Sequence, residues 1–278
     1  MKKTSLIIFF ILIGSLGWTQ NRGTIFYAIE WETVDDVRVL IQEGADVNQL
    51  MDDNRTPLHI AAEYSDNPEL FRLLLNSGAK IDPVEYKNDT PFELILKKNN
   101  IELVKLFIDA GVNIQRVDYN GRTPLEYAAM YSKNPEIFRL LINKGATINK
   151  GGNGSTPLHS AAGSNKKENI VLLISLGANV NARDSKGDTP LMIASRFYAS
   201  TDALIQAGAD INAKNNEGKT ALIISAQYGG DPKVISLLLQ KGANAKLEDN
   251  TGRTALDWFD QNKHLSKNPV RKELKDRT

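Results

Sequence analysis

Thr followed by Pro or Ala and then by Leu or Phe returns at Thr56, Thr90, Thr123, Thr156, Thr189, Thr220 and Thr254, at spacings of 34, 33, 33, 33, 31 and 34 residues. A repeat of this length is one supersecondary unit that cannot bury its apolar face alone, so the chain must stack copies against one another. A second marker keeps step: Gly-Ala or Gly-Val at Gly44, Gly78, Gly111, Gly145, Gly177, Gly208 and Gly242. The two markers bracket a helix pair. Thr is an N-cap whose hydroxyl accepts an orphan backbone N–H, and the Pro after it lacks the N–H that would otherwise go unpaired. Asn67-Pro68 and Asn134-Pro135 start the second helix by the same logic. Gly78 and its counterparts then end that helix in a left-handed conformation.

Helical spacing places Leu70, Leu73 and Leu74 on the buried face of the second helix. Leu140, the counterpart of Leu73, is expected in the same core. Paired alanines such as Ala61-Ala62, Ala128-Ala129 and Ala161-Ala162 give the first helix a small-residue face that lets neighbours approach closely. Tracts such as Asp118-Tyr119-Asn120-Gly121 suit hairpin-like loops between units.

The Thr-to-Gly distance is not constant. It is 22 in the second, fourth and seventh units, 21 in the third and fifth, and 19 in the sixth (Thr189 to Gly208). The extra residue of the long units is expected between the helices, at Tyr64 to Pro68, Tyr131 to Pro135 and Tyr228 to Pro232.

With Thr56-Pro57-Leu58-His59-Ile60-Ala61 and Thr156-Pro157-Leu158-His159-Ser160-Ala161 written out, the chain resembles the ankyrin repeat family over about residues 24–262. The resemblance implies an all-α repeat solenoid, an ankyrin-type stack of helix-turn-helix units with hairpin loops. It would hold about seven full repeats, the first degenerate from Thr24, and a partial C-terminal cap from Thr254. In that cap Val270 and Leu274 are the expected inward residues. It also implies a structural role for His59 and His159, bonded to neighbouring loop backbone. Asn48, Asn181 and Asn212 match positions that cytosolic family members present for asparagine hydroxylation.

The N-terminus is a different material. Met1-Lys2-Lys3 precedes an apolar run from Leu6 to Leu16 broken only by Gly14 and Ser15, too short for the ~20 residues of a membrane span. It reads as a secretory signal of bacterial type, cleaved after Gly17 or Thr19, so that mature protein starts at Trp18 or Gln20. The domain plan is therefore a signal over 1–19, repeats over 20–262 and a polar cap or tail over 263–278. Export to the periplasm or beyond follows, and with it no stable membrane insertion and no encounter with cytosolic hydroxylation. Asn54, Asn88 and Asn153 head Asn-x-Thr or Asn-x-Ser sequons in which Asn stands for a turn glycine, and no glycosylation is expected.

Lys and Arg total 34 against 33 Asp and Glu, a balance that gives no field for nucleic acid or an anionic membrane. The chain has no cysteine, which removes disulfides, thiolate nucleophiles and cysteine zinc sites. No phosphate loop, nucleophile elbow or metal-spaced cluster appears, so no enzyme, cofactor or metal is expected. Surface remains. In the family the hairpin loops and first helices form a concave face where partners bind, and the variable first-helix positions fall seven and eight residues after each Thr. Four of these seven pairs end in an aromatic, at Tyr64, Tyr131, Phe197 and Tyr228; Arg196 precedes Phe197, and the loops add Tyr86 and Tyr119. Aromatics and Arg are enriched at interface hot spots, so these seven residues are the candidate partner-binding set. The competing reading is that Tyr64, Tyr131 and Tyr228 brace the lengthened turns. The expected function is a monomeric, non-enzymatic module that binds a protein as scaffold, protector or inhibitor, the alternative being a secreted effector that binds host proteins.

Overall fold

A computed structural model describes residues 24–30, 33–83, 89–229, 231–265 and 268–278. The expected signal peptide and Tyr86 lie outside them. The described residues hold sixteen helices and no strand. The chain divides into two units, one up to Asn113 and one from Ile114.

The first unit holds three helix pairs: α1 (Thr24–Glu30) with α2 (Val34–Gln42), α3 (Pro57–Tyr64) with α4 (Pro68–Asn76), and α5 (Pro91–Lys98) with α6 (Ile101–Asp109). α1, α3 and α5 pack side by side in one layer and α2, α4 and α6 in a second. Phe71 meets Phe107 edge-on at 5.8 Å, and Phe92 stacks on Phe107 at 6.0 Å. All three rings are buried and tie consecutive repeats together.

The second unit holds five pairs: α7 (Pro124–Tyr131) with α8 (Pro135–Asn143), α9 (Pro157–Gly163) with α10 (Lys167–Ser175), α11 (Pro190–Ala194) with α12 (Tyr198–Gln206), α13 (Ala221–Tyr228) with α14 (Pro232–Gln240), and α15 (Ala255–Gln261) with α16 (Val270–Lys275). Odd helices again pack on odd and even on even. In α16, Val270 and Leu274 are buried; this short helix rests on α14 and α15.

The caps act as local chemistry requires. Each of the seven Thr residues accepts a hydrogen bond at Oγ1 from the backbone N–H three residues on. Where residue three is His, Glu or Asp, its side chain accepts the Thr backbone N–H in return: His59 Nδ1 at 3.1 Å, Glu126 Oε2 at 2.9 Å, Asp257 Oδ2 at 2.8 Å. That bond fixes the histidine tautomer with the proton on Nε2, and His159 Nε2 donates it to the Asp188 carbonyl of the next loop at 2.9 Å. Burial pushes the His159 pKa down. Both nitrogens of His159 are committed to structure.

The Asn residues that close the first and sixth repeats do a second structural job. Asn48 donates to the Gly78 carbonyl at 2.9 Å and accepts from Lys80 N–H at 2.8 Å, one repeat further on. Asn212 treats Gly242 and Asn244 alike. One amide thus bridges two loops through both its donor and its acceptor.

Two expectations need correction. Leu73 and Leu140 are only half-buried, and Phe71 and Phe138 are fully buried in their place. Each pair flanks the central leucine of the helix, Leu74 or Leu141, and Phe71 is met by Phe107 of α6. Asn153 does not take the turn-glycine place; Gly154 does, at φ +85°, whereas Asn54 does adopt the left-handed conformation at φ 66°.

Candidate functional site

In repeats two, three and four the residue before the capping Thr and the residue seven beyond it face the same side. Arg55 pairs with Glu63 at 2.5 Å and Asp89 with Lys97. In the second unit Arg122 Nη1 reaches Met130 Sδ at 3.6 Å. A stripe of loop bases and first-helix ends therefore runs along each unit.

In the sixth repeat the stripe is interrupted. α7 and α13 have eight residues and α11 has five. Its end is tied off by Ser195 Oγ donating to the Met192 carbonyl at 2.7 Å and by Thr201 Oγ1 donating to the Ala194 carbonyl at 2.9 Å. Arg196 and Phe197 therefore lie beyond the helix. Phe197 is half-buried at the cap of α12 and is not a first-helix residue, contrary to the even spacing assumed from the sequence. The three missing residues, just under one helical turn, leave a groove of about 400 Å³. Gly163 stands on one side, Tyr228 on the other, and Met192, Ile193, Ile224 and Ser225 lie between them. A Cβ at Gly163 would press on Ile193 Cγ2 at 3.1 Å, so glycine keeps that wall low.

Loop residues Lys186, Asp188, Asn215, Glu217 and Lys219 complete the lining. Lys219 pairs with Glu217 at 2.6 Å and lies over the Trp258 ring at 5.2 Å. The Asp188 carboxylate accepts from Asn215 Nδ2 at 2.7 Å. Ser225 Oγ is buried and has no hydrogen-bond partner. This arrangement can bind a segment of polypeptide by shape and donors. Among the described residues no group of three or more His, Asp or Glu is placed to hold a metal ion, and no helix is long and apolar enough to cross a membrane.

Of the seven candidate residues, Arg196 and Tyr228 line this groove together. Tyr119 stands at a loop tip, 61% exposed, and Tyr131 ends α7 against Tyr127 at 5.6 Å. Tyr64 ends α3 in the other unit. Other side chains bond the lengthened turns. Ser65 Oγ accepts from Asn67 N–H and Ser132 Oγ from Asn134 N–H, each at 3.1 Å. The following repeat then caps the open carbonyls of each first helix: Lys98 Nζ on Ser65, Asn169 Nδ2 on Ala129 and Ser132, Asn262 Nδ2 on Ala226 and Gln227. Tyr228 is left 67% exposed.

Sequence reasoning missed Ser225 and Lys186. The signal that pointed to the groove was the Thr189–Gly208 distance, three residues shorter than in the fourth repeat. Reading it as a property of the turn hid its effect on the helix.

The chain spans about a tenth of the length of the curated relatives it matches. These are Protein fem-1 homolog C of Bos taurus, Mus musculus and Homo sapiens, each 40% identical over 60 residues, 22% of this chain. The human ASB11 ankyrin repeat domain superposes with a TM-score of 0.68 at 24% identity, covering 79% of this chain and 98% of that one, a likeness of fold. The family model described as ankyrin repeats (3 copies) matches residues 5–85, 65–152, 148–215 and 198–266, most of the chain. With the Thr caps, the His and Glu capping boxes and the Asn bridges in register with that match, the chain belongs to the ankyrin repeat family.

Proposed function

We infer that this protein is a non-enzymatic, protein-binding repeat module that holds its partner against the loop and first-helix side of the second unit, with the groove of repeats five to seven at its centre. The observation that carries this reading is Tyr228. The Ala226 and Gln227 carbonyls just before it are capped by Asn262, yet the ring stays exposed at the edge of a groove whose floor holds an unpartnered hydroxyl. A large, stiff aromatic beside a recess is the anchor that interfaces use. The short apolar N-terminal run supports an exported role as scaffold, protector or inhibitor, acting as a monomer; the alternative is a secreted effector working on host proteins with the same surface.

A photo-crosslinking residue in place of Tyr228 tests the reading, with one in place of Glu168, exposed on α10, as control. One discrete protein adduct at 228 and none at 168 is expected. Equal adducts at both positions, or none at 228, would contradict it. Intact mass of the exported protein tests the signal, with a start at Gln20 or Trp18 expected and a chain retaining Met1 opposing it.

A further inference from the structure

In repeats two and three the residue before the capping Thr and the residue seven beyond it carry opposite charges and pair. Repeat six keeps opposite charges at these two places, Asp188 and Arg196, and forms no such pair. The cause is the length of α11. The helix stops at Ala194, so Arg196 leaves it before reaching the place where the partner carboxylate waits, and Asp188 turns to Asn215 of the next repeat at 2.7 Å. Lys219 is occupied by Glu217. Arg196 and Lys186 have no ion-pair partner among the described residues, and both line the groove. Ser225, 2% exposed, contributes a hydroxyl with no partner of its own.

A guanidinium, an ammonium and a hydroxyl, all able to donate, thus line one recess. The ligand that satisfies them is an acceptor with negative charge, and a planar carboxylate matches the fork of Arg with two parallel bonds. The groove also contains Asp188 and Glu217. Three cations against two anions leave one positive charge, which matches a single carboxylate better than a doubly charged phosphate. A recess of about 400 Å³ accommodates a few side chains, not a folded domain.

We propose that the groove of repeats five to seven takes an extended segment of the protein partner through one Asp or Glu side chain, held by Arg196 with Lys186 and Ser225 as further donors and Tyr228 packing alongside. This rests on the protein-binding reading above and names the chemistry it recognises.

The probe is a phage-displayed library of random 12-residue segments selected on the full exported chain, followed by calorimetry with the selected peptide made with both ends capped. Enrichment of Asp or Glu at one position is expected, and replacing that residue by Asn or Gln should weaken binding at least tenfold. Arg196→Gln should weaken the acidic peptide at least tenfold and leave the neutral one unchanged, a coupling that a purely structural arginine would not produce. Selected sequences without an acidic residue, preference for a phosphorylated counterpart, or equal loss of both peptides on Arg196→Gln would overturn the proposal. A protein crosslinked at 228 whose capture Arg196→Gln leaves unchanged overturns this inference and leaves the binding reading standing. No adduct at 228 and no selected peptide would overturn both.

Discussion

Repeats four and six begin with the same Thr-Pro cap and end on the same left-handed glycine, Gly145 and Gly208, yet one measures 22 residues between these marks and the other 19. The turn is not where they differ. Both have three residues between their helices, Ser132 to Asn134 and Ser195 to Phe197. All three missing residues come from the first helix. Loss from a turn would have tightened a loop, whereas loss from the helix end removes side chains from the stripe of first-helix ends and uncovers those behind it. Repeat three shows the other outcome: its single missing residue does come from the turn, where Asn99 takes a left-handed conformation, and α5 keeps eight residues.

The strongest way to break the comparison is at the core, where the two repeats should behave alike. Leu141 and Leu204 are both fully buried on the second helix, so alanine at either should cost about 2–5 kcal/mol in chemical denaturation. Leu140→Ala should cost clearly less, because that side chain is half-buried. A Leu204 variant as stable as the parent would mean that repeat six is loosely packed and its groove merely a defect.

Next in size is the stitch that repeat four has at its turn. Asn169 donates to two carbonyls, of Ala129 and Ser132, from a buried position. Asn169→Ala leaves both without that donor and should destabilise by about 1–3 kcal/mol. Tyr131→Ala should cost less than this, because Ser132 and Asn169 already bond the turn; the reverse order would favour the bracing role for the tyrosines.

The third residue of the first helix gives a pH test. In repeat four it is Glu126, fully buried, where burial pushes its carboxyl pKa up while the Thr123 N–H and hydroxyl pull the other way. In repeat six it is Met192, which does not titrate. A carboxyl pKa raised on folding means the folded state binds the proton more tightly, so stability falls as pH rises from the ordinary value of 4.5 through the raised one and then levels off. Glu126→Gln should remove that decline from denaturation curves taken across this range, and an unchanged pH profile would show that Glu126 is solvated. The glycines below it fit the burial: a Cβ at Gly151 would lie 2.5 Å from Glu126 Oε2.

The smallest expected effect is Tyr228→Ala, within about 0.5 kcal/mol of the parent in stability, because the ring is largely exposed. A larger loss would shift the residue from recognition to structure.

These tests also separate what the sequence makes legible from what it does not. Thr caps, their prolines and the glycine terminators act within four residues of themselves, so their order in the chain is enough to place them. The choice of Phe71 over Leu73 for the core depends on which flank the neighbouring repeat covers, information some thirty residues away. Lys98, Asn169 and Asn262 stitch equivalent turns from positions eight, thirteen and eight residues after their own Thr, so no single motif announces them. The candidate site was legible in part: Arg196 and Tyr228 stand out by type, whereas Ser225 is one more helical serine until a shortened neighbour exposes the recess it faces.

The proposed binding depends on the groove that the shortened α11 leaves. Inserting a Ser-Ala-Gln triplet between Ala194 and Ser195 gives repeat six a first helix as long as that of repeat seven and fills the recess. The measurement is calorimetric affinity for the selected acidic peptide, on protein whose denaturation midpoint matches the parent. At least a tenfold loss of affinity with the fold intact is expected; undiminished binding by the lengthened protein would mean that the shortened helix does not make the site.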